Sequence, residues 1–172
     1  MRGWLLDTNV LSELRRAQPN SQVVAFVAAQ PADRLFVSTV TLAEIRFGID
    51  LVADPERRAD LRAWLTHTLR PLFEDRVVPV TEDVLVRWRQ VVEAGRKRGH
   101  TYSEPDVLIA AAALLEQLVV VSRDVSEFVE ARVPVMNPWT ATFWFPGQPE
   151  RTLDALDRAD LLGVISQDWR RG

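Results

Sequence analysis

The chain alternates short apolar runs with longer stretches of helical spacing, and that alternation limits the folds open to it. Trp4-Leu5-Leu6, Leu35-Phe36-Val37-Ser38, Val77 to Val80 and Val119-Val120-Val121 are bounded by polar residues and are too short for surface helices. They read as buried strands. Between them, Val10, Leu11 and Leu14, then Ile45, Ile49 and Val52, then Leu61, Trp64, Leu65 and Leu69 recur at helical spacing. The stretch Val107 to Leu118 is apolar nearly all round, so it predicts a helix buried on every side. Val133-Pro134-Val135 predicts a further strand at a sheet edge, because proline cannot donate to a ladder. Strands alternating with helices imply a parallel sheet with right-handed crossovers. The expected fold is α/β, a three-layer sandwich with a central parallel sheet of about five strands flanked by helices.

A chain of 172 residues suggests one domain. The composition changes after Trp144-Phe145-Pro146-Gly147, which predicts a domain over 1–145 and a C-terminal extension over 146–172. Leu153, Leu156, Val164, Ile165 and Trp169 make the extension too apolar for a linker. It is expected to pack on the domain or on a dimer mate.

Composition also excludes several chemistries. There is no cysteine, which removes disulfides, thiolate zinc sites and thiol nucleophiles. His67 and His100 are the only histidines. Metal-free RNA cleavage would want two imidazoles as acid and base, yet one falls in a helical pair and the other in a basic turn. The net charge of -3 leaves no general basic surface, so any nucleic-acid contact must be local. The densest basic stretch holds Arg87, Arg89, Arg96, Lys97 and Arg98. It reads either as an RNA track or as a solvated helix end complementing the dipole. The longest apolar run, Val107 to Leu115, falls short of a membrane span. Asp7 interrupts the N-terminal apolar residues before a signal-peptide core can form. The expected location is the cytoplasm.

Acids recur where strands end and helices begin. Asp7 follows the first strand, Glu44 opens the helix after the second, Asp106 opens the buried helix, and Asp124 follows the fourth strand. Singly, each has an ordinary reading: Asp7 as an N-cap, Glu44 and Asp106 as capping-box carboxylates, Asp124 as an Asx-turn residue. Together they would converge, because a parallel sheet places all four on its carboxyl edge, where such sheets bind ligands. Close like charges repel and raise one another's pKa unless a cation neutralises them. Oxygen ligands without sulfur or imidazole suit Mg2+ or Mn2+. Carboxylate-held ions of that kind serve in-line attack of water on phosphodiesters.

Leu5-Leu6-Asp7-Thr8-Asn9-Val10, Thr41-Leu42-Ala43-Glu44-Ile45, Asp106-Val107-Leu108-Ile109-Ala110 and Val121-Ser122-Arg123-Asp124 together resemble the motifs of PIN-domain proteins, specifically VapC-type toxin ribonucleases. The likeness covers roughly Met1 to Trp139. It implies a Mg2+- or Mn2+-dependent endoribonuclease that leaves 5′-phosphate and 3′-hydroxyl ends. It also implies a homodimer held inactive by a cognate antitoxin protein. By position, Asp7, Glu44, Asp106 and Asp124 would be the acidic quartet and the metal ligands, with Thr8 and Ser122 as supporting hydroxyls. Arg46 and Arg123 adjoin two of the acids and are candidate phosphate contacts. The antitoxin is expected in a groove along the helical pair 41–69, lined by some of Phe47, Ile49, Leu51, Val52, Leu61, Trp64 and Leu65. Two other readings stay open: a PIN-like interaction protein without catalysis, and a receiver-like signalling domain, which would need a lysine at a strand end.

Overall fold

A computed structural model of the chain describes residues 1–153. Its strands are β1 (Gly3–Leu6), β2 (Leu35–Ser38), β3 (Val77–Val78), β4 (Leu118–Val121), β5 (Val135–Asn137), β6 (Thr142–Trp144) and β7 (Arg151–Thr152). Its longer helices are α1 (Thr8–Leu14), α2 (Ser21–Ala28), α3 (Thr39–Asp50), α4 (Pro55–Trp64), α5 (Glu82–Lys97), α6 (Glu104–Glu116) and α7 (Ser126–Glu130). The sheet order is β3-β2-β1-β4-β5-β6-β7. The first five strands in that order run parallel, as expected, and β6 and β7 are added antiparallel.

Strand alternation divides the interior into two cores. Trp4 and Leu6 of β1 with Val119 and Val121 of β4 face α1, α2, α3 and the segment after α4. Leu5, Leu118 and Val120 face the other way, onto α5, α6 and α7. Both faces of a parallel sheet are therefore covered. The Trp4 ring meets Phe26 edge-on at 5.1 Å, and its indole N–H donates to Gln30 at 2.8 Å. That bond satisfies the one polar atom of a side chain with no exposure. Helix α6 is largely buried, with Val107 and Ile109 to Ala113 in the core, but not on every side, since Leu115 is exposed.

One expectation needs correction. The segment Val133-Pro134-Val135 does not form a sheet edge, because β6 pairs along β5 on the side away from β4. Pro134 sits just before the strand and contributes only its carbonyl, which accepts from the Val120 N–H at 3.0 Å. The ladder also runs past the composition change at 144–147. β7 pairs with β6, the Leu153 N–H donates to the Ala141 carbonyl at 2.8 Å, and Leu153 joins the first core. Leu156, Val164, Ile165 and Trp169 lie outside the described residues.

Candidate active site: an acidic crevice at the carboxyl edge of the sheet

β1 and β4 lie side by side, so their carboxyl ends bring Asp7 and Ser122 together. The Asp7 N–H donates to the Val121 carbonyl at 3.0 Å, which fixes the backbone at the strand end. Asp7 is then the N-cap of α1, and its Oδ1 accepts from the Thr8 N–H at 2.7 Å. Its other oxygen accepts from the Ser122 hydroxyl at 2.7 Å and from Asn9 Nδ2 at 2.8 Å. The Ser122 oxygen in turn accepts from the Asp124 N–H at 3.0 Å. Asn9 closes the network, since its Oδ1 accepts from the Arg123 N–H at 3.2 Å. The N-cap reading of Asp7 and its reading as a site residue thus describe one carboxylate with two oxygens in use.

Glu44 is not a capping-box residue. Helix α3 begins at Thr39, and its N-cap is Ser38, whose hydroxyl oxygen accepts from the Thr41 N–H at 2.9 Å. Glu44 lies a turn further on and accepts from the Thr8 hydroxyl at 2.7 Å. Asp106 sits in the first turn of α6, half-buried, and Asp124 is exposed in the loop after β4. All four acids line one crevice of about 540 Å³, together with Thr8, Asn9, Ser12, Glu13, Arg16 and Arg123.

Electrostatics separates these acids. Burial raises the Asp7 pKa from 3.8 to about 6, with the charges of Asp106 and Glu44 adding to it. Hydrogen bonds from Ser122 and the Thr8 N–H pull the other way without cancelling it. Asp106 is also raised, first by burial and then by Glu44, Glu127 and Asp124, while Ser103 offsets part of the rise. Glu13 behaves oppositely: the Asn20 N–H and then Arg16 lower its pKa.

Of the two candidate arginines, Arg123 lines the crevice, with its guanidinium over the Trp139 ring at 5.7 Å. Arg46 lies elsewhere, on the exposed side of α3, in a separate cavity with Phe47, Asp50 and Arg70. Sequence alone does not single out Asn9, Glu13, Arg16 and Glu127 as part of this network. Asn9 carries a usable signal, since an amide two residues after a strand-end aspartate can reach back to it. His67 and His100 do not line the crevice, and His100 pairs with Glu127 at 3.2 Å. Lys97 is exposed at the last residue of α5 and supplies no receiver-like strand-end lysine.

The donors are hard oxygens with a surplus of negative charge, which fits a divalent cation. Among the described residues, however, no three acidic or imidazole groups are gathered tightly enough to form a ready coordination shell. The acids line the walls of the crevice and do not meet at one point.

Two further hollows continue from the crevice. A groove of about 390 Å³ shares Thr8, Ser12, Arg16 and Glu44 with it, and reaches Gly48, Leu61 and Trp64. An apolar cavity of about 270 Å³ shares Arg15 and Trp64 with that groove and is lined by Leu11, Leu14, Val27, Leu69 and Phe73. Of the groove residues expected from sequence, Ile49, Leu61 and Trp64 line this path, Leu65 is core, and Phe47 faces the cavity of Arg46.

Parallel strands with a carboxylate crevice at their carboxyl edge define an α/β class whose site is built from acids at strand and helix ends. Within it, this chain belongs to the PIN-domain family, whose sequence pattern matches residues 4–132. Toxin FitB of Neisseria gonorrhoeae is 36% identical over 135 residues, which are 78% of this chain and 97% of FitB. VapC ribonuclease Y4jK of Sinorhizobium fredii is 33% identical over 135 residues, 78% of this chain and 96% of the relative. A crystal structure of FitAcB from Neisseria gonorrhoeae superposes with a TM-score of 0.76 at 36% identity, covering 79% of this chain and 98% of that one. Among the described residues, no helix is long and apolar enough to cross a membrane.

Proposed function

We propose that this chain is a divalent-metal-dependent endoribonuclease and the toxin of a toxin–antitoxin pair. One observation carries the reading: four carboxylates share a crevice in which Asp7, though hydrogen-bonded three times, still has its pKa pushed to about 6. Buried acids in that state are poised for a cation. The relatives named a VapC ribonuclease and a toxin support the same reading.

Asp7, Glu44, Asp106 and Asp124 would hold Mg2+ or Mn2+, which would polarise a water and the phosphate for in-line attack. The surrounding residues orient these ligands. Ser122 and Asn9 fix one Asp7 oxygen, the Thr8 N–H fixes the other, and the Thr8 hydroxyl turns Glu44 toward the same crevice. Arg123, steadied over Trp139, presents a fork that suits a phosphate oxygen at the rim. The antitoxin, as the partner, would run from the apolar cavity past Trp64 and along the groove, ending with a cationic side chain at Glu44. The active form would be a homodimer.

The test is cleavage of single-stranded RNA with Mg2+, Mn2+ or chelator, by wild type, Asp7→Asn and Asp106→Asn. Cleavage that needs the metal and disappears in both folded variants is expected. Cleavage retained by either variant would overturn the site assignment.

A further inference from the structure

The basic residues around the end of α5 do not form one track. Arg96 pairs with Glu93 at 3.1 Å, and Arg89 lies against the Trp88 ring. Arg87 and Arg98 turn instead toward Arg132, around a pocket of about 250 Å³ walled by Tyr102 and Gln90. No acidic side chain lines it. None of its residues lines the acidic crevice.

The three guanidiniums differ in how they are held. Arg98 is fixed, donating to the Glu130 carbonyl at 2.8 Å and to the Tyr102 hydroxyl at 3.3 Å. Arg87 reaches only Gln90, at 3.4 Å. Among the described residues, the Arg132 side chain has no ion pair and no hydrogen bond. Yet Arg132 sits at φ 58, where the chain leaves α7 and its N–H bonds the Val129 carbonyl at 3.0 Å. That left-handed position favours glycine. A side chain held there at a conformational cost, without an internal partner, has its fork free for an anion from outside.

A relay of side chains links the pocket to the acids. The Tyr102 ring packs edge-on against His100 at 4.5 Å, and His100 bonds Glu127 at 3.2 Å. Glu127 is one of the charges felt by Asp106. Two side chains therefore bridge the basic pocket and the acidic crevice. In a chain of net charge -3, a polyanion entering an acidic crevice needs cationic anchorage beside it. Arginine forks match phosphate oxygens in pairs.

We propose that the pocket of Arg87, Arg98 and Arg132 holds a backbone phosphate of the RNA strand whose scissile bond lies in the acidic crevice. This rests on the ribonuclease reading above and extends it to how the strand is anchored. The contact is to the sugar–phosphate chain, so it is blind to base identity.

The experiment measures binding of short single-stranded RNAs of several sequences by Asp7→Asn protein, using fluorescence anisotropy over a range of salt. Arg87→Ala and Arg132→Gly are then added singly to that background. Each is expected to weaken binding several-fold for every sequence. Each should also flatten the dependence of log K on log salt by about 0.7, the change that follows when one phosphate of a single strand is no longer neutralised. Arg132→Gly is expected to keep or raise the melting temperature, because glycine suits φ 58. Arg132→Lys should restore the salt slope but only part of the affinity, because its point charge lacks the fork. If wild type cleaves RNA and Asp7→Asn binds it, but both arginine changes leave affinity and salt slope unmoved, the phosphate site is overturned and the ribonuclease reading stands. If wild type neither binds nor cleaves RNA, both fall together.

Discussion

Asp7→Asn should make the protein more stable at neutral pH. Asp7 is 4% exposed, and its pKa rises from 3.8 to about 6 on folding. A carboxyl whose pKa is raised binds its proton more tightly in the folded state, so its charged form opposes folding. At about 1.4 kcal/mol per pH unit, that opposition is about 3 kcal/mol. It is fully present above about pH 6, has largely faded by about pH 4, and vanishes below that, where Asp7 is protonated in both states. Asparagine removes the charge and keeps an oxygen for the Thr8 N–H. Its amide nitrogen would then face the Ser122 hydroxyl, which can rotate to accept, and Asn9 Nδ2, which now donates to Asp7 at 2.8 Å. Two opposed donors cost about 1 kcal/mol. The net gain at about pH 7 is about 2 kcal/mol, or about 4–8 °C in Tm for a protein of this size. Near pH 4 the gain disappears. The assay is thermal unfolding followed by circular dichroism, in chelator, at both pH values. A variant less stable than wild type at neutral pH, or a difference that does not change with pH, would refute the reasoning.

Magnesium should reverse that ranking, raising the Tm of wild type by mass action while leaving Asp7→Asn nearly unmoved; a thermal-shift titration checks it. Gly95→Ala should destabilise by about 1–3 kcal/mol, because its Cβ would lie 2.3 Å from the Tyr102 ring; an unchanged urea midpoint would mean that the ring swings aside. Trp64→Asp should abolish co-purification with the neighbouring antitoxin while far-UV circular dichroism stays that of a folded protein. Leu115→Asp, at an exposed position on α6, should leave co-purification intact, and equal capture by both variants would move the partner away from the groove.

The parallel core of the fold was legible because the strands carry a continuous apolar signal. Trp4 to Leu6 and Val119 to Val121 are buried on both faces, so they lack the alternation of a half-exposed strand and stand out as runs. The β6–β7 hairpin was not legible for the opposite reason. Thr142-Phe143-Trp144 and Arg151-Thr152 are short and mixed, and only pairing with β5 makes them strands. The acids at strand ends could be placed by topology alone, since a parallel sheet puts every strand terminus on one edge. The arginines could not. Arg46 neighbours Glu44 in sequence, yet successive helical residues point about 100° apart, and Arg46 faces a different cavity. Arg16, just past the end of α1, faces the crevice instead.

Glu13 and Asp7 show why burial of an acid does not by itself mark a site. Both are nearly inaccessible, at 6% and 4% exposure. Glu13 has its own cation, Arg16 at 3.0 Å, and a backbone N–H from Asn20, and its pKa falls. It is a satisfied structural carboxylate that ties the end of α1 to the start of α2. Asp7 accepts three hydrogen bonds but has no cation, and its pKa rises. Asp106 shares that state, with three further acids raising it. A fold selected only for stability would have placed an arginine beside Asp7, as it did beside Glu13. Arg16 and Arg123 line the same crevice, but neither bonds Asp7, so a cation supplied from outside the described residues would relieve its charge. A metal ion during catalysis and a basic side chain of an antitoxin during inhibition would meet the same electrostatic demand. On this argument the two occupants compete, and Mg2+ should weaken capture of the antitoxin by wild type but not by Asp7→Asn.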